Sequence, residues 1–404
     1  MSDLETFRSE TRKWLEENCP PSMRRPLSDE DEEAVWGGRK ARYTNPELPL
    51  WRERMVARGW TAPTWPREYG GGGLSADEAK VLAQEMRSLG CRPPLVSFGL
   101  SMLGPVLLEY GTDEQKREHL PPLIRGEIRW CQGYSEPGAG SDLAGLQCKA
   151  VRGSDAEGDP YRVTGQKIWT SFADRSDWIF CLVRTDFEAP KHDGISFLLI
   201  DMESPGISTA PIQLISGSSP FCQTFFEDVR VPARNRVGKE NGGWTIAKRL
   251  LQHERSMISG MGQGGLIGGG GARAFTELAR SSLGCPEGPL SDAVLRDAIT
   301  RVQLDNVCFN ATLRRSADAA RAGRGPGAES SMFKYYGTEL NKRRCDLRTR
   351  IAGTRALGWE GEGFEPHELQ LTRDWLRSKG NSIEGGTSEI QLNIIAKRVL
   401  GLPD

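Results

Sequence analysis

No excess of one charge, no long apolar run and no paired cysteine motif mark this chain, and each absence excludes a class of function. Lys and Arg total 53 against 54 Asp and Glu, a formal net charge of −1. No field of one sign is therefore available to draw in nucleic acid or an acidic surface. No run of about 18 apolar residues exists to span a bilayer. The N-terminal MSDLETFRSETRKWLEEN is charged throughout and lacks the apolar stretch of a signal peptide. The nine cysteines (19, 91, 131, 148, 181, 222, 285, 308, 345) are odd in number and scattered, with no CxxC pair. That pattern reads as reduced, mostly buried thiols, not a disulfide frame or a zinc site. Neither a Gly-Lys-Ser/Thr phosphate loop nor a GxGxxG between strand and helix is present. A soluble, cytoplasmic protein of two or three domains is expected from 404 residues.

What is there centres on Trp130–Gly145, WCQGYSEPGAGSDLAG. Pro137 has no N–H to donate, and Gly138 and Gly140 are free to take positive φ. The reading is a sharp, open loop whose N–H groups and hydroxyls (Ser135, Ser141) face a flat, phosphate-bearing ligand. The plain alternative is a structural turn, with Ser141 capping a helix that begins at Asp142.

Before this loop the pattern is helical. Leu4, Phe7, Thr11, Trp14 and Leu15 recur on one face of residues 3–18. From Pro20 to Pro49 the polar, irregular composition predicts a loosely packed insertion. Ser75-Ala-Asp-Glu78 is a capping box for a helix through Leu89. Thr112-Asp-Glu-Gln115 opens another toward Leu120, ahead of Pro121-Pro122. After the loop, 161–169, 178–184, 195–202 and 224–231 are short runs rich in Val, Ile, Phe, Trp and Thr. Turn residues separate them, the signature of a small antiparallel β domain. Helical periodicity resumes at 243–259, 291–323, 328–352 and 388–400, the last opened by a capping box of Ser388 and Gln391. The fold class is α+β, with a helical part over 1–129, a β part over 130–240 and a helical part over 241–404.

YSEPGAGSD at 134–142 and GQKIWTSFADRSDW at 165–178 resemble the two flavin-contacting segments of the acyl-CoA dehydrogenases. FFEDVRVPARNRVG at 225–238 resembles that family's closing strand. SIEGGTSEIQLNIIAKRVLGLP at 382–403 is similar to its C-terminal flavin-binding turn and helix. The resemblance implies an N-terminal α-helical domain, a small β domain and a C-terminal four-helix bundle. It also implies FAD, lined by Gln132, Ser135, Gly140 and Ser141, with Trp169 and Ser171 against the isoalloxazine ring. Arg280, Gly358, Thr387 and Glu389 complete the cofactor set, and Ser141 and Arg255 are the implied substrate contacts. Gly353 and Gly361 belong with Gly358 to the turn against the adenosine half. Taken alone, Trp169 also reads as an ordinary strand aromatic.

Oxidation of an acyl-CoA needs a base for the α-proton, a hydride acceptor and donors for the thioester oxygen. Many family members carry a glutamate two residues before the threonine of the turn, where this chain has Gly385. The Gly385 N–H survives and would hold the thioester oxygen. A second group places the glutamate on a bundle helix, and that position is Glu254. Ala247, Leu250, Leu251, Met257 and Ile258 form an apolar stripe centred on Glu254, whose burial should raise its pKa toward neutrality. A salt bridge from Glu254 to Arg255 or Lys248 is the bland alternative. Glu384, one residue off register, is the rival base, and His253 reads as a surface or interface histidine. Gly260–Gly271 has eight glycines in twelve positions, read either as a flexible connection or as bare backbone that admits a bulky acyl chain.

The implied reaction is α,β-dehydrogenation of an acyl-CoA to the trans-2-enoyl-CoA, in lipid metabolism, with an electron-transfer flavoprotein as acceptor. Arg280 resembles an arginine that reaches a neighbouring subunit's flavin, implying a homotetramer or dimer. An oxidase or flavin monooxygenase of the same fold is the second reading. The third is a non-catalytic subunit of a hetero-oligomer, motivated by the missing turn glutamate.

Overall fold

A computed structural model describes residues 2–153, 159–264, 272–283, 288, 290–321 and 330–403. The chain divides into two compact units, Met1–Ile212 with Pro220–His253, and Gln213–Ser219 with Glu254–Asp404. No described helix is long and apolar enough to cross a membrane.

The first unit opens with helix α1 (Ser2–Asn18), which buries Thr11 and Leu15 and sets Trp14 edge-on to Trp60 at 4.8 Å. Residues 20–49, expected to be loose, are instead well packed. Helix α2 (Asp29–Ala34) lies there, and α3 (Glu47–Ala57) begins there. Met23 and Leu48 are buried, and Ser22 donates from N and Oγ to Glu47 at 3.0 and 2.5 Å. Asp31 accepts from Thr44 Oγ1 at 2.9 Å and from Asn45 N at 3.2 Å. The polar residues here satisfy one another and the local backbone, which apolar periodicity cannot register.

Helix α4 (Ala76–Ser88) has the expected Ser75–Glu78 capping box. Its buried Glu85 takes Arg8 of α1 at 2.6 Å and Arg12 at 3.0 Å. After α5 (Gly104–Tyr110), helix α6 (Asp113–Ile124) has its Thr112–Gln115 box, but it runs through Pro121 and Pro122 instead of stopping before them. The prolines occupy the last turn, where burial of Leu120, Leu123 and Ile124 outweighs two missing backbone bonds.

The β part is one eight-stranded sheet. Its strands are β1 (Trp130–Gly133), β2 (Lys149–Arg152), β3 (Tyr161–Ser171), β4 (Trp178–Arg184), β5 (Ile195–Asp201), β6 (Ile207–Ile212), β7 (Phe221–Val231) and β8 (Arg236–Val237). The order is β6-β7-β3-β2-β4-β5-β8, with β1 beside β4. Most pairings are antiparallel as expected, but β1 and β2 run parallel to β4. β4 and β5 are buried on both faces, which explains their unbroken apolar runs. Beneath the start of the sheet, His119 lies edge-on to Trp130 at 5.4 Å and to Trp178 at 4.9 Å.

Helix α7 (Gly243–Gly264) follows the sheet. The second unit holds α8 (Ala272–Leu283), α9 (Ala293–Arg321), α10 (Ser330–Ala352), α11 (Pro366–Ser378) and α12 (Ser388–Ile394). Periodicity had not singled out α3, α8 or α11. Phe275, Ala279, Leu295, Ile299, Leu347 and Ile351 form a shared core of α8, α9 and α10. The C-terminal helix is shorter than expected, because Ile395–Val399 widens into a π-turn after α12.

Candidate functional site

The loop after β1 is built on a tight turn: Glu136 and Ala139 exchange two backbone hydrogen bonds, each 3.0 Å, across Pro137-Gly138. Gly138 and Gly140 do not take the positive φ anticipated for them. A Cβ added at either would meet nothing within 4 Å, so they leave open space on the loop's outer side. Ser141 is exposed and caps no helix: the next helical turn starts at Leu143, with no side-chain cap. Lys191 Nζ bridges both Asp142 oxygens at 2.9 Å. Gln132 and Ser135 are half-buried.

The loop's anchor is a buried ion pair that sequence reading missed. Glu136 accepts from Lys167 Nζ at 2.7 Å, from Gln147 N at 2.6 Å and from Cys148 N at 2.9 Å. Lys167 is wholly buried and also donates to the Tyr134 carbonyl at 3.2 Å. Burial pulls its ammonium pKa down, but Cys181, Cys148 and Glu136 outweigh that and hold it above the ordinary lysine value. A glutamate in SEPG and a lysine in GQKIW carry no periodicity signal. Only their shared placement in the two flavin-like motifs hinted at a partnership.

One bond further along, Ile168 N donates to the Ser135 carbonyl at 2.9 Å, tying loop to strand. There the β3–β7 register shifts between Lys167 and Thr170. Trp169 sits on the irregularity with φ +61, and Phe172 follows with φ +54. Left-handed backbone at a bulky side chain costs of order 1–3 kcal/mol and gathers at functional sites. The Trp169 indole is 52% exposed, edge-on to Phe221 at 6.0 Å. It is therefore no ordinary strand aromatic packed into a core. Thr170 is buried, its Oγ1 without a partner among the described residues, and Ser171 beside it is half-buried.

In the second unit the C-terminal turn runs through two consecutive left-handed glycines, Gly385 at φ +64 and Gly386 at φ +89. A Cβ on Gly386 would lie 2.5 Å from Gln391 Nε2. Gln391 is fully buried, and that nitrogen donates to the Gly385 carbonyl at 3.2 Å. The N-cap of α12 is Thr387, not Ser388: its Oγ1 accepts from Ile390 N at 3.3 Å. Of two adjacent hydroxyls, the one before the first helical residue caps, and the motif had been read one position late. Glu389 is exposed in the first turn of α12, where backbone and Thr387 hydrogen bonds hold its carboxyl below the usual range. Glu384 is doubly engaged, by Arg377 at 2.6 Å and Asn381 at 2.5 Å.

Gly358 is buried, and a Cβ there would come within 2.6 Å of Phe364, a packing reason for glycine. Gly353 and Gly361 have φ +57 and +112. Arg280 donates to the Gly288 carbonyl at 2.7 Å, while its Nε is buried with no partner among the described residues. On α7, Ala247 and Leu250 are fully buried two turns and one turn before Glu254. Glu254 itself is half-buried, less enclosed than the apolar stripe predicted. His253 is also half-buried, and burial holds its pKa below the usual histidine value. The expectations for Arg255, Met257 and Ile258 concern side chains outside the described ones, and residues 265–271 of the glycine run lie outside them too. Among the described residues no cluster of His, Cys, Asp or Glu could hold a metal ion.

Three family models match the chain in succession: acyl-CoA dehydrogenase N-terminal domain over 1–127, middle domain over 131–229 and C-terminal domain over 241–400. The acyl-CoA dehydrogenase IpdE1 of Mycobacterium tuberculosis is 32% identical over 407 residues, covering 100% of this chain and 99% of its own. FadE34 of the same organism, also an acyl-CoA dehydrogenase, is 37% identical over 355 residues, 87% of this chain and 46% of its own. Among solved structures, the Tcur3481–Tcur3483 steroid ACAD superposes with a TM-score of 0.76 at 29% identity, covering 100% of this chain and 98% of that one. The ChsE4–ChsE5 complex from Mycobacterium tuberculosis does so at 0.73 and 29%, with the same coverage.

Proposed function

The chain belongs to the acyl-CoA dehydrogenase family of flavoprotein oxidoreductases, and we propose that it binds FAD and dehydrogenates a bulky acyl-CoA to the trans-2-enoyl-CoA. The residues fit a flavin. Gly138 and Gly140 leave an open cradle, the exposed Trp169 indole offers a flat apolar wall, and the buried Thr170 hydroxyl lacks a partner among the described residues. When bound, the flavin accepts the hydride that leaves the substrate's β-carbon. Gln132, Ser135, Gly140, Ser141, Trp169, Ser171, Arg280, Gly358, Thr387 and Glu389 are the residues proposed to hold it. Ser141 and Arg255 contact the CoA ester. The Gly385 N–H holds the thioester oxygen, where negative charge develops as the α-proton leaves.

Glu254 takes that proton. The observation carrying this assignment is the engagement of Glu384, whose two carboxylate oxygens are already tied to Arg377 and Asn381. A carboxylate held on both oxygens by donors is the poorer base. Glu254→Gln is expected to keep yellow flavin and bind CoA ester, yet slow reduction about 10²–10⁴-fold. Near wild-type reduction would move the base elsewhere.

Relatives described as steroid enzymes support a ring-bearing acyl chain. Faster flavin bleaching by ring-bearing than by butyryl- or octanoyl-CoA is the expected outcome, and the reverse order counts against it. Electrons pass to an electron-transfer flavoprotein; stoichiometric hydrogen peroxide would show an oxidase instead. A homo-oligomer competes with a second assembly, because two neighbours in structure are named for two components. A chain that is colourless alone and takes up flavin only when co-expressed with a different subunit would establish the hetero-oligomer.

A further inference from the structure

We propose that Glu384 is a positioning residue: clamped by Arg377 and Asn381, it fixes the peptide plane that presents the Gly385 N–H. This rests on the proposed role of Gly385. Two consecutive glycines at φ +64 and +89 form the freest kind of backbone, and a donor on such a segment is poorly aimed unless something holds it. The turn is held from several sides. Ile383 N and Glu384 N both donate to the Gly380 carbonyl, at 2.9 and 3.1 Å. Arg377 of α11 takes one Glu384 oxygen at 2.6 Å, and Asn381 Nδ2 takes the other at 2.5 Å.

Asn381 is itself fixed to α10. Its Oδ1 accepts from Asn341 at 2.9 Å, and its carbonyl accepts from the buried Lys334 at 3.0 Å. Gln391 of α12 closes the far side through the Gly385 carbonyl at 3.2 Å. The Gly385 N–H belongs to the peptide joining it to Glu384, so it lies between the Glu384 clamp and the Gln391 anchor. The chain thus has a carboxylate beside the position where many relatives carry their base, and uses it to aim a donor.

The test uses the holoenzyme and 4-dimethylaminocinnamoyl-CoA, whose absorption moves to the red when its thioester oxygen is hydrogen-bonded. Glu384→Ala and Arg377→Met are each expected to lose most of that red shift and slow flavin bleaching by acyl-CoA about 10²-fold, with flavin content unchanged. The double variant should be no slower than Glu384→Ala alone, because that substitution already removes the acceptor of both Arg377 and Asn381. The pair is about one-third exposed on each side, 34% and 37%, so the fold does not depend on it. Should Glu384→Ala nonetheless lose its flavin, Arg377→Met removes the same clamp from the other end. Glu384→Gln that abolishes bleaching but keeps the full shift would make Glu384 the base and overturn the proposal. So would a wild-type shift in both Glu384→Ala and Arg377→Met. A wild-type chain that binds the probe with no shift refutes the Gly385 role itself, and the clamp with it.

Discussion

Replacing Lys167 by Met is the most exacting test of how the loop at 134–148 is held. The ammonium is wholly buried, and Glu136, whose side chain is 7% exposed, lies 2.7 Å away. Removing one member of a buried pair leaves the other charged and desolvated, which costs about 3–5 kcal/mol. Glu136 would keep the N–H groups of Gln147 and Cys148, so the low end, about 3 kcal/mol, is expected. The Tyr134 carbonyl also loses its donor. At roughly 2–4 °C per kcal/mol for a unit of this size, the apoprotein melting midpoint should fall by roughly 6–12 °C. Thermal melts followed by circular dichroism, with flavin removed, read this directly. The double variant Glu136→Leu/Lys167→Met removes the stranded charge but leaves the Gln147 and Cys148 N–H groups without their acceptor, so it should recover only part of the loss. A drop below about 2 °C for Lys167→Met would refute the reasoning, showing that water reaches the pair.

Trp169→Ala should leave apoprotein melting nearly unchanged, because the indole is 52% exposed and alanine keeps the Cβ and hence the same left-handed strain. Flavin affinity, read by fluorescence quenching on titrating apoprotein, should weaken at least 10-fold; an unchanged affinity would exclude the indole from the cofactor surface. Burial among Trp130 and Trp178 pushes the His119 pKa below its ordinary 6.5. The unfolded chain therefore binds that proton first on acidification, and stability falls as pH drops below about 6.5. His119→Phe lacks this loss, so any deficit against wild type should shrink between pH 7.5 and 5; a constant gap would show that His119 stays neutral in both states.

Much of the fold was legible where one physical signal dominates. The apolar runs at 178–184 and 195–201 are strands because both faces are buried, and the boxes at Ser75 and Thr112 cap helices through contacts three residues apart. Where several weak polar contacts replace one strong pattern, legibility failed. Residues 20–49 fold through the bonds of Ser22, Asp31, Thr44 and Glu47, each between residues 13 or more positions apart. Helix α6 passes two prolines because tertiary burial overrides a local rule.

At the site, sequence alone determined the family, the glycines of the C-terminal turn and the absence of a side-chain base at Gly385. These are properties of residue type and spacing, and they survive without coordinates. Only the tertiary structure decided that Lys167 neutralises Glu136 across 31 positions, that Trp169 turns outward on left-handed backbone, and that Glu384 is bound to Arg377 and Asn381. The physical reason is that a charge or a strained dihedral acquires its meaning from what lies within a few ångströms of it, and that neighbourhood is set by how distant segments pack.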